Sequence, residues 1–318
     1  MDPAERGPDR VALAAFTGVV LFGGTNFVAV KVTIRELDPF WGAGIRFLAA
    51  AAILFAIVLA RRLPLPKGGA LVGALIYGAL GFFAFYALAY YALGHLPAGI
   101  VSVTAASAPL LTLVLAVAQR LEPFRWRGLA GAVLAIAGVA IMAGRGAGAD
   151  LHVPAILAVI GAAACASEAG LLLKRFPGSH PVTTNAVGMA TGAVLLIAAS
   201  VVTGERLVLP SRASTWVATL YLVVVGSIAL FVLFIVALNR WTATGVSYQF
   251  VLFPVVAVLL SAWLLDERMT LPMAVGGALV LAGTYVGALS GKRVSPAEPE
   301  APAEPEVAST AAGRGPPC

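Results

Sequence analysis

Two formal charges, Arg46 and Glu168, lie well inside long apolar runs of the sequence. Glu168 stands in "ACASEAGLLLKR" (residues 164–175), six residues before Lys174, the nearest other charge. Six helical residues rise about 9 Å, which would place this carboxylate below a membrane surface. Hydrocarbon disfavours the ionised form of a carboxyl group, so the group takes up a proton more readily, as a proton carrier must. A hydrogen-bonded fastener between helices is the alternative, and the sequence leaves both interpretations open.

Arg46 follows Pro39 by seven residues and is the cation inside an apolar run. Three roles suit a guanidinium at that depth: its side chain reaches the membrane surface, it bonds a backbone carbonyl, or it pairs with a substrate carboxylate. An ion pair with Glu168 is not expected, because the two residues should lie nearer opposite faces of the membrane. Arg46 is therefore a candidate substrate-binding or structural charge.

The uncharged polar candidates also lie within apolar runs. "GGTNF" places Thr25 and Asn26 beside two glycines that thin the helix, so their polar groups could meet a substrate. Aromatic and hydroxyl side chains at membrane depth need partners or line a cavity, although small hydroxyls often bond their own helix. The remaining substrate-binding candidates of this kind are Tyr77, Tyr86, Ser102, Ser107, Tyr248 and Gln249.

The elements that must position these residues are apolar runs of about twenty residues, each long enough to cross about 30 Å of hydrocarbon. The chain of 318 residues is 60% hydrophobic and 11% charged, a composition typical of membrane proteins. Its net charge of +6 comes from basic residues in short gaps, which favours a topological role over nucleic-acid binding. The predicted spans are residues 11–31, 39–60, 69–93, 97–118, 125–144, 152–173, 181–203, 214–239, 244–264 and 269–290.

The distribution of basic residues predicts the orientation of these spans. With a cytoplasmic amino terminus, fourteen of the 21 basic residues fall in inside segments, six fall outside and Arg46 lies within a span. Both termini are therefore expected in the cytoplasm. Residues 1–10 form a short polar segment, and residues 291–318, rich in Pro, Ala and Glu, are expected to be disordered.

The two halves of the chain match each other at nearly constant offsets. Lys31 meets Lys174 at an offset of 143 residues, and Pro39 meets Pro181 at 142. Five spans per copy is an odd number, so the second copy must enter the membrane from the opposite face as an inverted repeat. Pro109 and Pro254 are candidate helix breaks, and "GAVLAIAG" and "GGALVLAG" are stripes that let helices approach closely. Four pairs share an offset of 145: Pro109 and Pro254, Glu122 and Glu267, Gly131 and Gly276, Gly138 and Gly283.

Several stretches resemble the drug/metabolite transporter superfamily, specifically EamA-type transporters with two five-span repeats. They include "LFGGTNFVAVK" (21–31), "DPFWGAGIRF" (38–47), "ASAPLLTLVLAVAQRLE" (106–122) and "FPVVAVLLSAWLLDE" (253–267). The resemblance covers about residues 11–290, although Phe22 replaces the tryptophan that usually precedes the glycine of the first span. It implies a basket of ten helices around a central cavity that opens alternately to the two faces.

The sequence therefore predicts an all-α membrane protein of ten transmembrane helices in two inverted five-helix repeats, residues 11–144 and 152–290. The predicted function is secondary transport in the inner membrane, export of small metabolites such as amino acids, with proton coupling through Glu168 as a hypothesis. An uncoupled facilitator, a drug efflux carrier and a non-transport membrane protein are the alternatives. No enzyme activity, cofactor, metal or nucleic acid is expected; the expected partners are a small-molecule substrate and the lipid bilayer, and a homodimer is compatible with the sequence.

Overall fold

The computed structural model describes residues 8–95, 101, 104–143, 152–176, 180–264 and 271–289. This part of the chain is almost entirely helical and contains no β-strand, which confirms the predicted all-α class with ten helices. The helices are α1 (Arg10–Thr33), α2 (Pro39–Arg61), α3 (Gly69–Tyr77, Gly78–Ala84 and Phe85–His95), α4 (Ala108–Ala118), α5 (Trp126–Ala143), α6 (Val153–Arg175), α7 (Pro181–Thr203), α8 (Ala213–Val223, Val224–Ala229 and Leu230–Arg240), α9 (Ala243–Ser247 and Gln249–Leu264) and α10 (Leu271–Thr284 and Tyr285–Leu289).

Five of these helices, α2, α3, α6, α7 and α8, are long and apolar enough to cross a membrane, and five further apolar helices of the described residues are shorter. Large apolar side chains point away from the bundle, among them Leu59, Val202 and Leu271, which are 77%, 85% and 77% exposed. An apolar outer surface of this kind suits contact with lipid, because water would not solvate it favourably.

Helices α2 and α7, the second helices of the two repeats, begin and end with the same signals. Each starts with proline, Pro39 or Pro181, where the missing backbone N–H costs no hydrogen bond. Each is followed by a left-handed residue, Arg62 with φ 50° or Gly204 with φ 73°. These shared start and stop signals fit two copies of one five-helix unit.

Corresponding helices of the two repeats also pack on each other, α2 against α7 and α5 against α10. The α5–α10 contact is close, because a Cβ atom on Gly138 would lie 2.6 Å from Gly276 O and one on Gly131 would lie 2.6 Å from Gly283 O. The two small-residue stripes thus bring these backbones together, as their composition predicts.

The third helices, α3 and α8, both contain a π-helical segment, Gly78–Ala84 in α3 and Val224–Ala229 in α8. The sequence predicts membrane spans over residues 69–93 and 214–239, but its apolar character does not mark where a helix becomes π-helical. A π-helical segment widens the helix and often occurs at functional sites.

The fourth helices, α4 and α9, are interrupted near their candidate proline breaks. Before α4, residues 106–107 form a turn that ends immediately ahead of Ala108 and Pro109. In α9 the interruption lies at Tyr248 rather than at Pro254, which stands inside the helix Gln249–Leu264. The second proline is accommodated because a helix tolerates one missing donor when its neighbours support it.

Candidate functional site

Arg46 of α2 is buried between the two repeats, with only 3% of its surface exposed. Its Nε atom donates to Ser227 Oγ of α8 at 2.9 Å, and its Nη2 atom donates to the Tyr86 hydroxyl of α3 at 3.0 Å. Both partners are neutral. The described residues form two ion pairs, Asp38 with Arg206 and Asp9 with Arg240, and neither includes Arg46. The guanidinium charge is therefore stabilised here without a carboxylate.

Aromatic rings surround this guanidinium. Its Cζ atom lies 4.5 Å from the Phe47 ring centroid and 5.6 Å from that of Tyr86, within the range of cation–π attraction. Phe47 in turn makes edge contacts with Tyr86 at 5.1 Å and with Phe82 at 4.9 Å, and Phe82 lies 4.7 Å from Phe231. The site combines one cation with an apolar aromatic wall.

The π-helical segment of α8 brings α1 and α2 together at successive residues. Asn26 of α1 donates through Nδ2 to Gly226 O at 3.1 Å, and the next residue, Ser227, accepts from Arg46. Asn26 Oδ1 is buried and has no hydrogen-bond partner among the described residues. A Cβ atom on Gly226 would overlap the Asn26 side chain, so a larger residue at this position would force Asn26 out of its present place.

The corresponding place in the other half of the molecule is closely packed. Gly188 of α7, the repeat counterpart of Arg46, lies against α3, and a Cβ atom on it would be 2.8 Å from the Tyr77 ring. Tyr77 is 2% exposed and donates its hydroxyl proton to Asn185 Oδ1 at 3.3 Å. At these corresponding positions the first half therefore has the buried charge of Arg46, whereas the second half has the uncharged Gly188.

Thr25 and Glu168 correspond in the two repeats, at the same offset of 143 residues as Lys31 and Lys174, but they bond different helices. The Thr25 hydroxyl pairs with the Tyr221 hydroxyl of α8 and also bonds Phe22 O in its own helix at 2.9 Å. Glu168 of α6 is partly exposed and accepts through Oε2 from Gln119 Nε2, just past α4, at 2.6 Å. The two positions therefore do not share a bonding partner, although each joins one repeat to the other.

The other predicted candidates have local or interhelical bonds. Ser107 donates to Thr104 O at 2.6 Å, within its own turn. Tyr248 is fully buried and donates to Gly128 O of α5 at 2.9 Å. Gln249 is also buried, and its Oε1 atom has no partner among the residues described. Ser102 lies outside the described residues.

Carboxylates join the α1–α2 loop to the α7–α8 loop at one end of the bundle. We call this set the latch: Glu36 and Asp38 with Glu205, Arg206 and Ser211. Glu205 caps the start of α2 by accepting from Phe40 N at 3.1 Å and from Trp41 N at 2.8 Å, whereas Asp38 accepts from Arg206 N at 2.8 Å and Glu36 from Ser211 N at 2.6 Å.

Hydrogen bonds to the latch carboxylates stabilise their ionised forms. The Ser211 hydroxyl and other donors lower the pKa of Glu36 to about 2, and the Arg206 backbone N–H lowers the pKa of Asp38. Because hydrogen bonds to the charged form cause both shifts, the latch holds two carboxylates that remain ionised at neutral pH.

A second set of contacts joins the repeats near the opposite ends of the helices. Glu122, 7% exposed, accepts from Ala243 N at 2.5 Å and from Thr244 N at 3.4 Å at the start of α9. Lys174 of α6 donates to Trp241 O at 2.5 Å. The acid that follows α4 is thus an N-terminal cap for a helix of the other repeat, a role that spacing alone did not predict.

The sequence identified several site residues but not the residues that form hydrogen bonds with them. Ser227, Gln119, Tyr221 and Asn185 bond predicted residues, but each is a single polar residue in or beside an apolar helix without a motif. The contacts of α1 and α2 with α8 could not be predicted without knowing how the two repeats are arranged in three dimensions.

Comparison with known proteins agrees with this architecture. The model of the EamA-like transporter family matches two segments of the chain, residues 10–144 and 153–288. A solved crystal structure with 23% sequence identity superposes with a TM-score of 0.75, covering 88% of this chain and 97% of the other. That similarity extends to the fold alone.

Three relatives carry transporter names. The chain is 30% identical over 291 residues to the uncharacterized inner membrane transporter YedA of Escherichia coli K12, covering 90% of this chain and 92% of that protein. It is 27% identical to an uncharacterized transporter of Archaeoglobus fulgidus, with coverage of 86% and 95%. It is also 27% identical to a protein named "Probable amino-acid metabolite efflux pump" of Escherichia coli K12, with coverage of 84% and 91%.

Proposed function

The chain belongs to the EamA-like transporter family, and we propose that it exports small metabolites such as amino acids by alternating access between its two inverted repeats. Its family and relatives indicate a multi-pass inner-membrane transporter rather than an enzyme. The direction of transport and the substrate class in this proposal follow the name of the efflux-pump relative.

The observation that supports carrier function best is the buried contact of Arg46 with Ser227. It places a charged group where α2 of the first repeat meets α8 of the second, at the depth at which α8 becomes π-helical. A charge inside a membrane protein costs a few kcal/mol by insertion scales, so it is usually retained for a pathway or a binding site. Motion of one repeat against the other would change the surroundings of this group.

The latch supplies a gate for such motion. If both termini are cytoplasmic, as the charge distribution predicts, the α1–α2 and α7–α8 loops face the periplasm and the latch closes that side. Opening would break the hydrogen bonds of Glu36, Asp38 and Glu205. Water would bond these carboxylates in the exposed loops, so the net free-energy cost of opening would be small.

Glu168 is the proposed site of proton coupling. Its carboxylate bonds Gln119, which belongs to the other repeat, so protonation would change a contact between the moving parts. An uncoupled facilitator or a drug efflux carrier would use the same fold without this step. The partners in this proposal are a small-molecule substrate and the bilayer.

The test is transport by the purified protein in proteoliposomes. Vesicles loaded with an unlabelled amino-acid mixture are diluted into single radiolabelled L-amino acids, and counterflow uptake is compared with that of protein-free vesicles. Accumulation of at least one labelled amino acid that requires the protein is the expected result. No counterflow across the amino acids and an equivalent panel of small organic acids and cationic drugs would contradict carrier function.

A further inference from the structure

We propose that Arg46 binds the carboxylate of the transported molecule, and that the substrate is a small carboxylate with an apolar body. This inference rests on the proposed transport function and specifies its substrate class. It is carried by three observations: the unused donors of the guanidinium, the uncharged packing at the corresponding position of the other repeat, and the aromatic wall beside the cation.

The first observation is the number of donors. A guanidinium has five N–H donors, remains charged in proteins and matches the two oxygens of a carboxylate. The structure gives Arg46 two hydrogen bonds, to Ser227 Oγ and to the Tyr86 hydroxyl, and both acceptors are neutral. Within the described ranges no carboxylate forms an ion pair with it. An anion from outside the protein would use the remaining donors and compensate the charge.

The second observation comes from the molecule's own duplication. If the fold needed a cation at this position to hold the second helix against the third helices, the other repeat would need one too. It has Gly188 instead, packed against Tyr77 and Gly78 of α3. The helix contact therefore forms without charge, and structural demand does not account for Arg46.

The third observation is the lining next to the cation. Phe47 and Tyr86 face the guanidinium, and Phe82 and Phe231 pack beyond Phe47. Phe47 and Phe82 are fully buried, so of these four rings Tyr86 and Phe231 keep exposed surface that a ligand could contact. Such rings favour an apolar body through burial and ring contacts. A carboxylate joined to an apolar group satisfies both parts of the site, whereas a cation would be repelled by the guanidinium and an uncharged sugar would not compensate its charge.

The test compares two probes of nearly the same shape, 3-phenylpropionate, which carries a negative charge, and 3-phenylpropionamide, which is neutral. Binding to the purified protein in detergent is measured as the ligand-dependent rise in unfolding temperature, with the full-length chain throughout. The acid should stabilise the wild type and the amide should not. Arg46→Gln should weaken the acid by about tenfold or more, because a charge-assisted pair is lost, whereas Arg46→Lys should retain part of the binding.

Ser200→Ala is the control, because Ser200 of α7 is a buried polar residue outside the contacts of the guanidinium and its Oγ atom has no partner among the described residues; its preference for the acid should equal that of the wild type. Equal stabilisation of wild type by acid and amide would overturn the inference, as would an acid effect unchanged in Arg46→Gln. If Arg46→Gln does not fold, an acid preference that is reduced in Arg46→Lys and unchanged in Ser200→Ala supports the same assignment, and an equal acid preference in both variants overturns it.

Failure of this inference is distinct from failure of the proposed function. A protein that transports labelled amino acids but binds acid and amide equally is a carrier without an Arg46 carboxylate site. A protein that shows no counterflow with any compound is not the proposed carrier, whatever it binds.

Discussion

Arg46 of the first repeat and Ser227 of the second are joined by a hydrogen bond of 2.9 Å between Nε and Oγ. Ser227 is fully buried, so the bond is shielded from water. Shielding makes a missing partner costly, because a buried donor then has no alternative acceptor. This contact therefore provides a direct measure of how firmly the two repeats are held together.

Replacing Ser227 with alanine should destabilise the protein by about 1–3 kcal/mol, since the Nε donor of Arg46 loses its acceptor. The measurement is thermal unfolding in detergent micelles. Ser200→Ala is the matched control, because Ser200 is also fully buried but its Oγ atom has no partner among the described residues. Equal effects of the two substitutions would show that the Arg46–Ser227 bond contributes nothing.

Gly226→Ala should cost about 1–3 kcal/mol and reduce transport, because the new Cβ atom would overlap the Asn26 side chain. Gly277→Ala is the control within a helix: a Cβ atom on Gly277 meets nothing within 4 Å. That change should be neutral or stabilise by up to about 1 kcal/mol through helix propensity. A tolerated alanine at position 226 would show that the bond from Asn26 Nδ2 to Gly226 O is dispensable.

Glu168→Gln should abolish the pH dependence of transport if Glu168 carries the coupled proton. Glutamine keeps the size of the side chain and an acceptor for Gln119, so the fold should be retained. Counterflow and proton-gradient-driven uptake are measured between pH 5 and 8, with Glu300→Gln in the carboxyl-terminal tail as control. Unchanged pH dependence with a lowered unfolding temperature would identify Glu168 as a helix fastener instead.

The latch should not respond to pH in the physiological range. Hydrogen bonds from Ser211 and its neighbours lower the pKa of Glu36 from 4.5 to about 2, so its contribution to stability is fully present above about pH 4.5 and is lost as the pH falls toward 2. Trp41 reports on this end, because its Nε1 atom donates to Val208 O at 2.6 Å.

The readout is the fluorescence of Trp41, obtained by difference from the Trp41→Phe variant. It should stay constant from pH 8 to pH 5 and change only in more acidic solution, and Glu36→Gln should alter that acidic transition. A transition between pH 5 and 8 that Glu36→Gln removes would contradict the low pKa of this carboxyl group.

Glu122→Ala should destabilise the protein by about 1–3 kcal/mol, because it leaves the backbone N–H groups of Ala243 and Thr244 without their acceptor. Glu122→Gln, which retains one acceptor oxygen, should cost less. Chemical denaturation in mixed micelles measures the difference between them. Equal loss in both variants would mean that charge, rather than hydrogen bonding, is what α9 requires there.

Most of the architecture could be predicted from the sequence. Membrane spans and the basic residues between them are visible in local composition, and the repeat is visible as a constant offset between matching residues. Arg46 and Glu168 could be selected as candidates because charge is rare at membrane depth. The environments of these residues could not be predicted. Ser227 and Gln119 are ordinary polar residues, and the π-helical segments change the helix phase by one residue without altering its apolar character.

Fusion of the two repeats in one chain has an evolutionary consequence at the Arg46 position. A dimer of identical five-helix units would be forced by symmetry to place the same residue at both equivalent sites, and so would bury either two guanidinium groups or none. In the fused chain one copy has Arg46 and the other has Gly188. Gene duplication thus released the halves from symmetry, so that a guanidinium could be buried at one of the two equivalent positions and not at the other.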